Sequence, residues 1–444
     1  MKTLSHFLCA CVVLLFIISC EKQGSRGMDL RHDITGTAIS IDESERMLME
    51  IMNGLDAINT KAGNGIQRTV SDRFTVGIPT KSEGGLCYHV FNFEDDNGFA
   101  IMSGDRRVTP LLALALDGSL HEGDTIDNPG LAMYLSKLGS YFENTIVRDS
   151  LEFVDSLSVV FPGEGNRVYE DTEMEAGHCQ VKWFQTYPYN YLCYGTDGER
   201  IPVGSSTVAM AQLMSIYKYP HTLDWDGMIE VSTGIRPDGD DSYSKMNTFP
   251  EGPITPGVLG PKLVEIAQLM KMTRDLLEGG NPEDIDKIPS ALEDFGYSSG
   301  GELISYEHGG SRENEAIEEL KSGHYVIMVG RESFKVADAG NTVYYNTNTV
   351  NTVERNSHSW LVHGLLTETT TIYEGIRPYV FKCYYFLCNY GWGGEADGYY
   401  LSDVFDTENG PKLPDPETKS VEDMVDDGNY NDTFSMKYII GIRK

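Results

Sequence analysis

The chain has 444 residues, 40% of them hydrophobic and 10% aromatic, with 67 acidic side chains against 35 basic ones and a formal net charge of −32. At roughly 150 residues per domain that length predicts two or three domains, and the composition is that of a folded chain. The charge excludes nucleic acid as a partner, because so acidic a chain has nothing with which to neutralise a row of phosphates.

Met1-Lys2-Thr3 leads into an apolar run from Phe7 to Ile18, closed by Ser19-Cys20 and the polar Glu21-Lys22-Gln23. A basic start, a short apolar region and a small residue before the break predict a signal peptide over residues 1–19, too short for a transmembrane helix. Ile17-Ile18-Ser19-Cys20 resembles a bacterial lipobox. That resemblance implies that Cys20 is lipidated and becomes the first mature residue of an exported lipoprotein, held at a membrane through that lipid only, in the periplasm or at the cell surface. The polar residues 20–40 read as a tether.

Asp42 opens a helical pattern in which Met47, Leu48, Ile51, Leu55 and Ile58 recur at three- and four-residue steps. Cys87 to Phe93 and Phe99 to Ser103 read as strands of a hairpin whose turn ends in Asn97-Gly98, and Leu111 to Leu116 is a further apolar run. One helix and several hairpinned strands predict a small α+β domain over residues 41–165. The chain then turns charged and irregular from about 147 to 180, with a border near residue 170. The second domain, 170–444, is read as helices near 205–217, 260–277, 285–295 and 312–322. Strands follow at Tyr325 to Val329, Ser359 to Leu365, Tyr379 to Cys388 and Tyr399 to Leu401. Helices first and a sheet afterwards is again α+β.

Three of the eight cysteines lie in the signal region, leaving Cys87, Cys179, Cys193, Cys383 and Cys388. An odd number without a CxxC pair indicates neither a zinc site nor a disulfide framework. The acidic clusters at Asp238-Gly239-Asp240-Asp241 and Asp423 to Asp427 lack calcium-loop spacing, so no metal and no organic cofactor is implied.

The segment Gly204-Ser205-Ser206-Thr207-Val208-Ala209-Met210-Ala211-Gln212-Leu213-Met214 places small hydroxyl residues at the start of a helix. Unpaired backbone amides and the positive end of the dipole favour an anion there, which suits a nucleophile. His358 heads an apolar strand about 150 residues later, and Asn389 follows in Cys388-Asn389-Tyr390-Gly391-Trp392-Gly393-Gly394. The order nucleophile, histidine, asparagine is that of papain-like peptidases. Singly, each residue has a structural alternative: Gln185 a surface amide, Trp392 a core aromatic, Asn389 a turn residue before Gly391.

Together these segments resemble the streptopain-like cysteine peptidase family, peptidase C10. Its members carry a Gly-Cys-Val-Ala-Thr-Ala-like helix ending in Ala-Gln-Ile-Met and Tyr-Pro, a Gly-His-Ala-like strand, and Asn-Trp-Gly-Trp-Gly-Gly leading to Asp-Gly-Tyr. The likeness extends to Ile288-Pro289-Ser290-Ala291-Leu292 and to Tyr438-Ile439-Ile440-Gly441-Ile442. Gly98-Phe99-Ala100-Ile101-Met102-Ser103-Gly104-Asp105 resembles the family's Spi-type propeptide. The resemblance implies a papain-like fold behind a propeptide that keeps the peptidase latent, with protein or peptide substrates and the chain's own propeptide as partners. It implies Ser205 at the nucleophile position, His358 as general base and acid, Gln185 in the oxyanion hole, and Asn389 and Trp392 orienting and shielding the imidazole. His363, where the family has an aspartate, is read as structural.

The departure is Ser205, where the family has cysteine. A thiol with a reference pKa near ~8.5 can be drawn down into a thiolate–imidazolium pair, whereas a serine hydroxyl must lose its proton during attack. The readings that follow are a degenerate, peptide-binding or regulatory family member, a serine-based peptidase, a serine introduced in place of the cysteine, or an inhibitor-like chain whose N-terminal domain is the working module. Cys193 lies 12 residues earlier and lacks the helix start, which makes it a poor substitute.

Overall fold

The computed structural model describes residues 37–62, 68–78, 85–124, 126–152, 166–172, 179–233, 260–305, 313–333, 355–374, 377–405 and 433–444. The signal peptide, Cys20, most of the tether and both acidic clusters lie outside the described residues.

Helix α1 (Ile41–Ala62) begins where Ser40 Oγ accepts the Glu43 N–H, with Asp42 and Glu43 in its first turn. Of the predicted stripe Leu48, Ile51 and Leu55 are buried and Met47 is half-buried, with Met52 added to the buried face. Strands β1 (Val70–Gly77), β2 (Cys87–Phe93), β3 (Phe99–Ser103) and β4 (Leu111–Ala115) form an antiparallel meander. Gly98 closes the β2–β3 turn at φ +97°, and a Cβ there would lie 2.0 Å from the Ala115 carbonyl oxygen, so only glycine fits.

Helix α2 (Pro129–Glu152) stands where the sequence pattern suggested no element and then, from 147, irregular chain. Its signals are local and compact: Asn128 Oδ1 accepts the N–H groups of Gly130 and Leu131, and proline stands at the first helical position. Leu131, Tyr134, Leu138 and Phe142 are buried at helical spacing. At about 1.5–3 kcal/mol per fully buried large side chain, that face holds the helix in place. The border expected near 170 falls within strand β5 (Asn166–Thr172), which pairs antiparallel with β8.

The remaining helices are α3 (Ser205–Tyr217), α4 (Trp225–Thr233), α5 (Pro261–Leu276), α6 (Ile288–Asp294) and α7 (Glu313–Lys321). The remaining strands are β6 (Ser299–Ser305), β7 (Val326–Ser333), β8 (Arg355–Glu374), β9 (Arg377–Asn389), β10 (Gly398–Leu401) and β11 (Thr433–Arg443). Strand β8 is far longer than the seven residues expected, because its outer half is a threonine-rich run that pairs with both β5 and β9.

Among the described residues the strands join in one sheet, ordered β1-β2-β3-β4-β10-β9-β8-β7-β11-β6, with β5 beside β8. The join between the N-terminal meander and the later strands is β4 against β10, with Tyr399 opposite Leu114. Helix α2 covers this join. Tyr134 meets Tyr400 edge-on at 4.8 Å, Met133 packs onto Gly330, and Gly130 lies against the Tyr390 ring. Residues Ile39–Lys444 therefore share one core.

Candidate active site

Helix α3 starts at Ser205 because Gly204 makes the turn before it. At φ +90°, a Cβ on Gly204 would sit 2.1 Å from the Gly280 carbonyl oxygen. That close approach lets the Ser206 N–H donate to the same oxygen at 3.1 Å. The helix is hydrophobic almost all round and buried from Ser205 to Ser215, as a central helix must be. Its first residue thus sits in the core, at the positive end of the dipole.

Strand β8 brings the second partner. The Ser359 N–H donates to Ser205 Oγ at 3.1 Å, which sets the hydroxyl against the peptide that follows His358. Ser206 Oγ donates to the Asn281 carbonyl at 2.9 Å and lies 2.8 Å from Ser359 Oγ, so α3 and β8 are locked just below the site.

His358 is buried, and its Nε2 lies 2.7 Å from the Tyr390 carbonyl oxygen. A carbonyl can only accept, so this nitrogen carries the proton, and Nδ1 of the neutral ring keeps its lone pair. Burial pushes the imidazole pKa down to about 4, although the Tyr390 carbonyl works in the opposite direction. Trp392 stands edge-on to His358 at 6.0 Å and edge-on to Phe184 at 4.8 Å, which shields the ring from water. Gln185 follows Phe184, and its carbonyl accepts the Val203 N–H at 2.9 Å, two residues before Ser205. Ser205 thus lies against the peptide after His358 and Trp392 against the His358 ring, while Gln185 is tied to the chain before Ser205 through its backbone carbonyl.

Asn389, which the resemblance implied would orient the imidazole, makes its side-chain hydrogen bonds to other groups. Its Oδ1 accepts Gln212 Nε2 and the Gly391 N–H, and its Nδ2 donates to the Val181 carbonyl. The physical reason is register: β9 ends at Asn389, and the chain turns so that the carbonyl one residue later meets the ring. Tyr390 is itself held by Asp397, whose Oδ1 accepts the Tyr390 N–H at 3.0 Å. Burial pushes the Asp397 carboxyl up to about 7, opposed by the Tyr390 N–H and by Lys182, and reinforced by Asp117 and Glu395.

His363 accepts the Cys179 N–H on its Nδ1 at 3.1 Å, away from the hydroxyl. The Cys179 thiol is pushed up to about 12 by burial, and burial also raises the Cys193 thiol, the reverse of what a nucleophile needs. Among the described residues no group of histidine, cysteine or carboxylate side chains is arranged to hold a metal. Sequence reasoning missed Ser359, the Tyr390 carbonyl, Asp397 and the function of Gln212. Two of these act through backbone atoms, which no residue letter announces.

Comparison with curated proteins finds no match. Among solved structures, the chain is similar to a cysteine-to-alanine mutant fragment of prointerpain A from Prevotella intermedia, at 18% identity and a TM-score of 0.40, covering 75% of this chain and 93% of that one. It is also similar to active wild-type interpain A cysteine protease from Prevotella intermedia, at 16% identity and a TM-score of 0.31, covering 60% of this chain and 94% of that one. Residues 183–400 match the Peptidase C10 family and residues 62–142 match the Spi protease inhibitor family. The chain thus carries a Peptidase C10 family domain over residues 183–400, preceded by a Spi protease inhibitor family domain over residues 62–142, on a mixed α+β fold.

Proposed function

We propose that this chain is an exported, lipid-anchored C10 family member, made latent by its own Spi-type domain, in which Ser205 leaves peptide-bond hydrolysis weak or lost. The observation that carries the reading is the state of the Ser205–His358 pair. The Ser359 N–H donates to Ser205 Oγ, and this donor is placed to stabilise negative charge on the attacking atom. The Ser205 proton must pass to His358, and an imidazole whose pKa is held near 4 is a weak base. A thiol at the same position loses its proton far more readily than a hydroxyl, so the site suits sulfur better than oxygen.

The substrates this site would take are proteins or peptides, with Gln185 beside the nucleophile as the side-chain donor to the oxyanion. Trp392 and Phe184 keep water from the ring. Export and lipid anchoring at Cys20 rest on residues 1–23 of the sequence alone.

Casein hydrolysis tests the reading, with the Ser205 chain and a Ser205→Cys variant each assayed before and after proteolysis between the two domains. Robust activity only in the cleaved Ser205→Cys protein is the expected result. Equal activity in both chains sinks the weak-nucleophile reading, and activity in neither moves the function to peptide binding. Loss of membrane association in Cys20→Ser tests the anchor.

A further inference from the structure

The buried amides around His358 form a chain of hydrogen bonds that begins on the nucleophile helix. Gln212, two turns into α3 from Ser205, donates from Nε2 to Asn389 Oδ1 at 2.8 Å. The same Oδ1 accepts the Gly391 N–H at 3.0 Å. That N–H belongs to the peptide group whose carbonyl, on Tyr390, takes the His358 Nε2–H at 2.7 Å. One planar peptide therefore carries Asn389 on its nitrogen side and His358 on its oxygen side. A donor engaged at one end makes the carbonyl at the other a stronger acceptor, because bonded amides polarise one another.

The choice of glutamine at 212 supports a directed use of its donor. The side chain is fully buried, and among the described residues its Oε1 has no hydrogen-bond partner. A buried acceptor left unpaired is costly, and an aliphatic side chain would fill the space without that cost. What the amide supplies and leucine would not is the Nε2 donor to Asn389. Gly391 is pinned on the same helix, since a Cβ there would lie 2.8 Å from Val208 Cγ1, and it holds φ +65°.

We propose that Gln212 and Asn389 are positioning residues, a relay that fixes the Tyr390–Gly391 peptide and through it holds His358 as the Nε2–H tautomer, referenced to the helix that carries Ser205. Asn389 thus orients the base without touching it. The relay rests on the reading of His358 as the base only for its catalytic meaning; its hydrogen bonds are observable whether or not the chain cleaves peptides.

The test uses the full chain labelled with ¹⁵N at histidine. The His358 Nε2–H, buried and bonded to a carbonyl, gives a downfield, slowly exchanging proton signal on a neutral ring. Asn389→Ala removes the acceptor, and exchange of that proton is expected to accelerate at least about tenfold. Asn389→Asp keeps the acceptor for Gln212 and the Gly391 N–H and loses only the donation to the Val181 carbonyl, so the signal is expected to persist. In Gln212→Glu a protonated side chain can still donate and an ionised one cannot, so the signal is expected to persist near about pH 5 and be lost by about pH 8. A signal unchanged in Asn389→Ala, or indifferent to pH in Gln212→Glu as in the unsubstituted chain, overturns the relay. The Gln212→Glu pH series decides the matter if Asn389→Ala does not fold. Failure of casein hydrolysis leaves this result untouched, so the relay and the proposed function fail separately.

Discussion

A buried neutral imidazole should make the stability of this protein fall as the medium is acidified, by an amount that can be worked out. His358 has a pKa of about 4 in the folded chain against an ordinary 6.5. Its folded-state pKa is depressed, so the unfolded chain binds the proton more readily, and the stabilisation present above about pH 6.5 is lost as pH falls toward 4. Between about pH 7.5 and about pH 5 the loss comes to about 2 kcal/mol, approaching about 3 kcal/mol at lower pH. Asp397 acts with the opposite sign: its carboxyl is raised to about 7, so its contribution is present below about pH 4 and lost as pH rises. Comparison with a His358→Gln chain isolates the imidazole, because glutamine does not titrate, can still donate to the Tyr390 carbonyl, and leaves Asp397 in place. Denaturant unfolding of both full-length chains at the two pH values gives the double difference. The unsubstituted chain should lose about 2 kcal/mol more than His358→Gln on acidification. Identical pH slopes would mean that the ring is not held neutral in the core, and the placement of the base would be refuted.

Gly204→Ala should cost at least about 3 kcal/mol, since the new Cβ meets the Gly280 carbonyl at a positive φ; thermal unfolding reads this directly. In Gly130→Ala the Cβ would fall 2.0 Å from the Tyr390 ring. That variant should lose about 1–3 kcal/mol and also shift the His358 imidazole signals, since the same residue's carbonyl holds the ring. Asp397→Asn keeps an acceptor for the Tyr390 N–H and removes the buried ionisation. It should be more stable than the unsubstituted chain near about pH 8, by up to about 4 kcal/mol, and equal to it near about pH 4, as denaturation at the two pH values would show.

Much of this protein was legible in its sequence because the signals are local. The stripe of α1, the Asn-Gly hairpin, and the glycine and hydroxyl residues at the start of α3 each follow from a few neighbouring letters, and the spaced motifs containing Ser205, His358 and Trp392 pointed to the family. Helix α2 escaped notice although Asn128, Pro129 and its apolar spacing announce it; strand β5 sits in a charged stretch and forms because β8 offers it an edge. The site divides in the same way. Sequence placed a hydroxyl at a helix start and a histidine on a strand, since these are properties of residue type and periodicity. Tertiary structure decided which groups meet. The register at the end of β9 gives His358 a backbone carbonyl in place of the Asn389 amide, and the peptide after His358 supplies an N–H to Ser205. Pairing of β4 with β10 merges the inhibitor-like meander and the peptidase strands into one sheet. Backbone donors and acceptors are the same in every residue, so only the fold can say which of them a catalytic side chain will find.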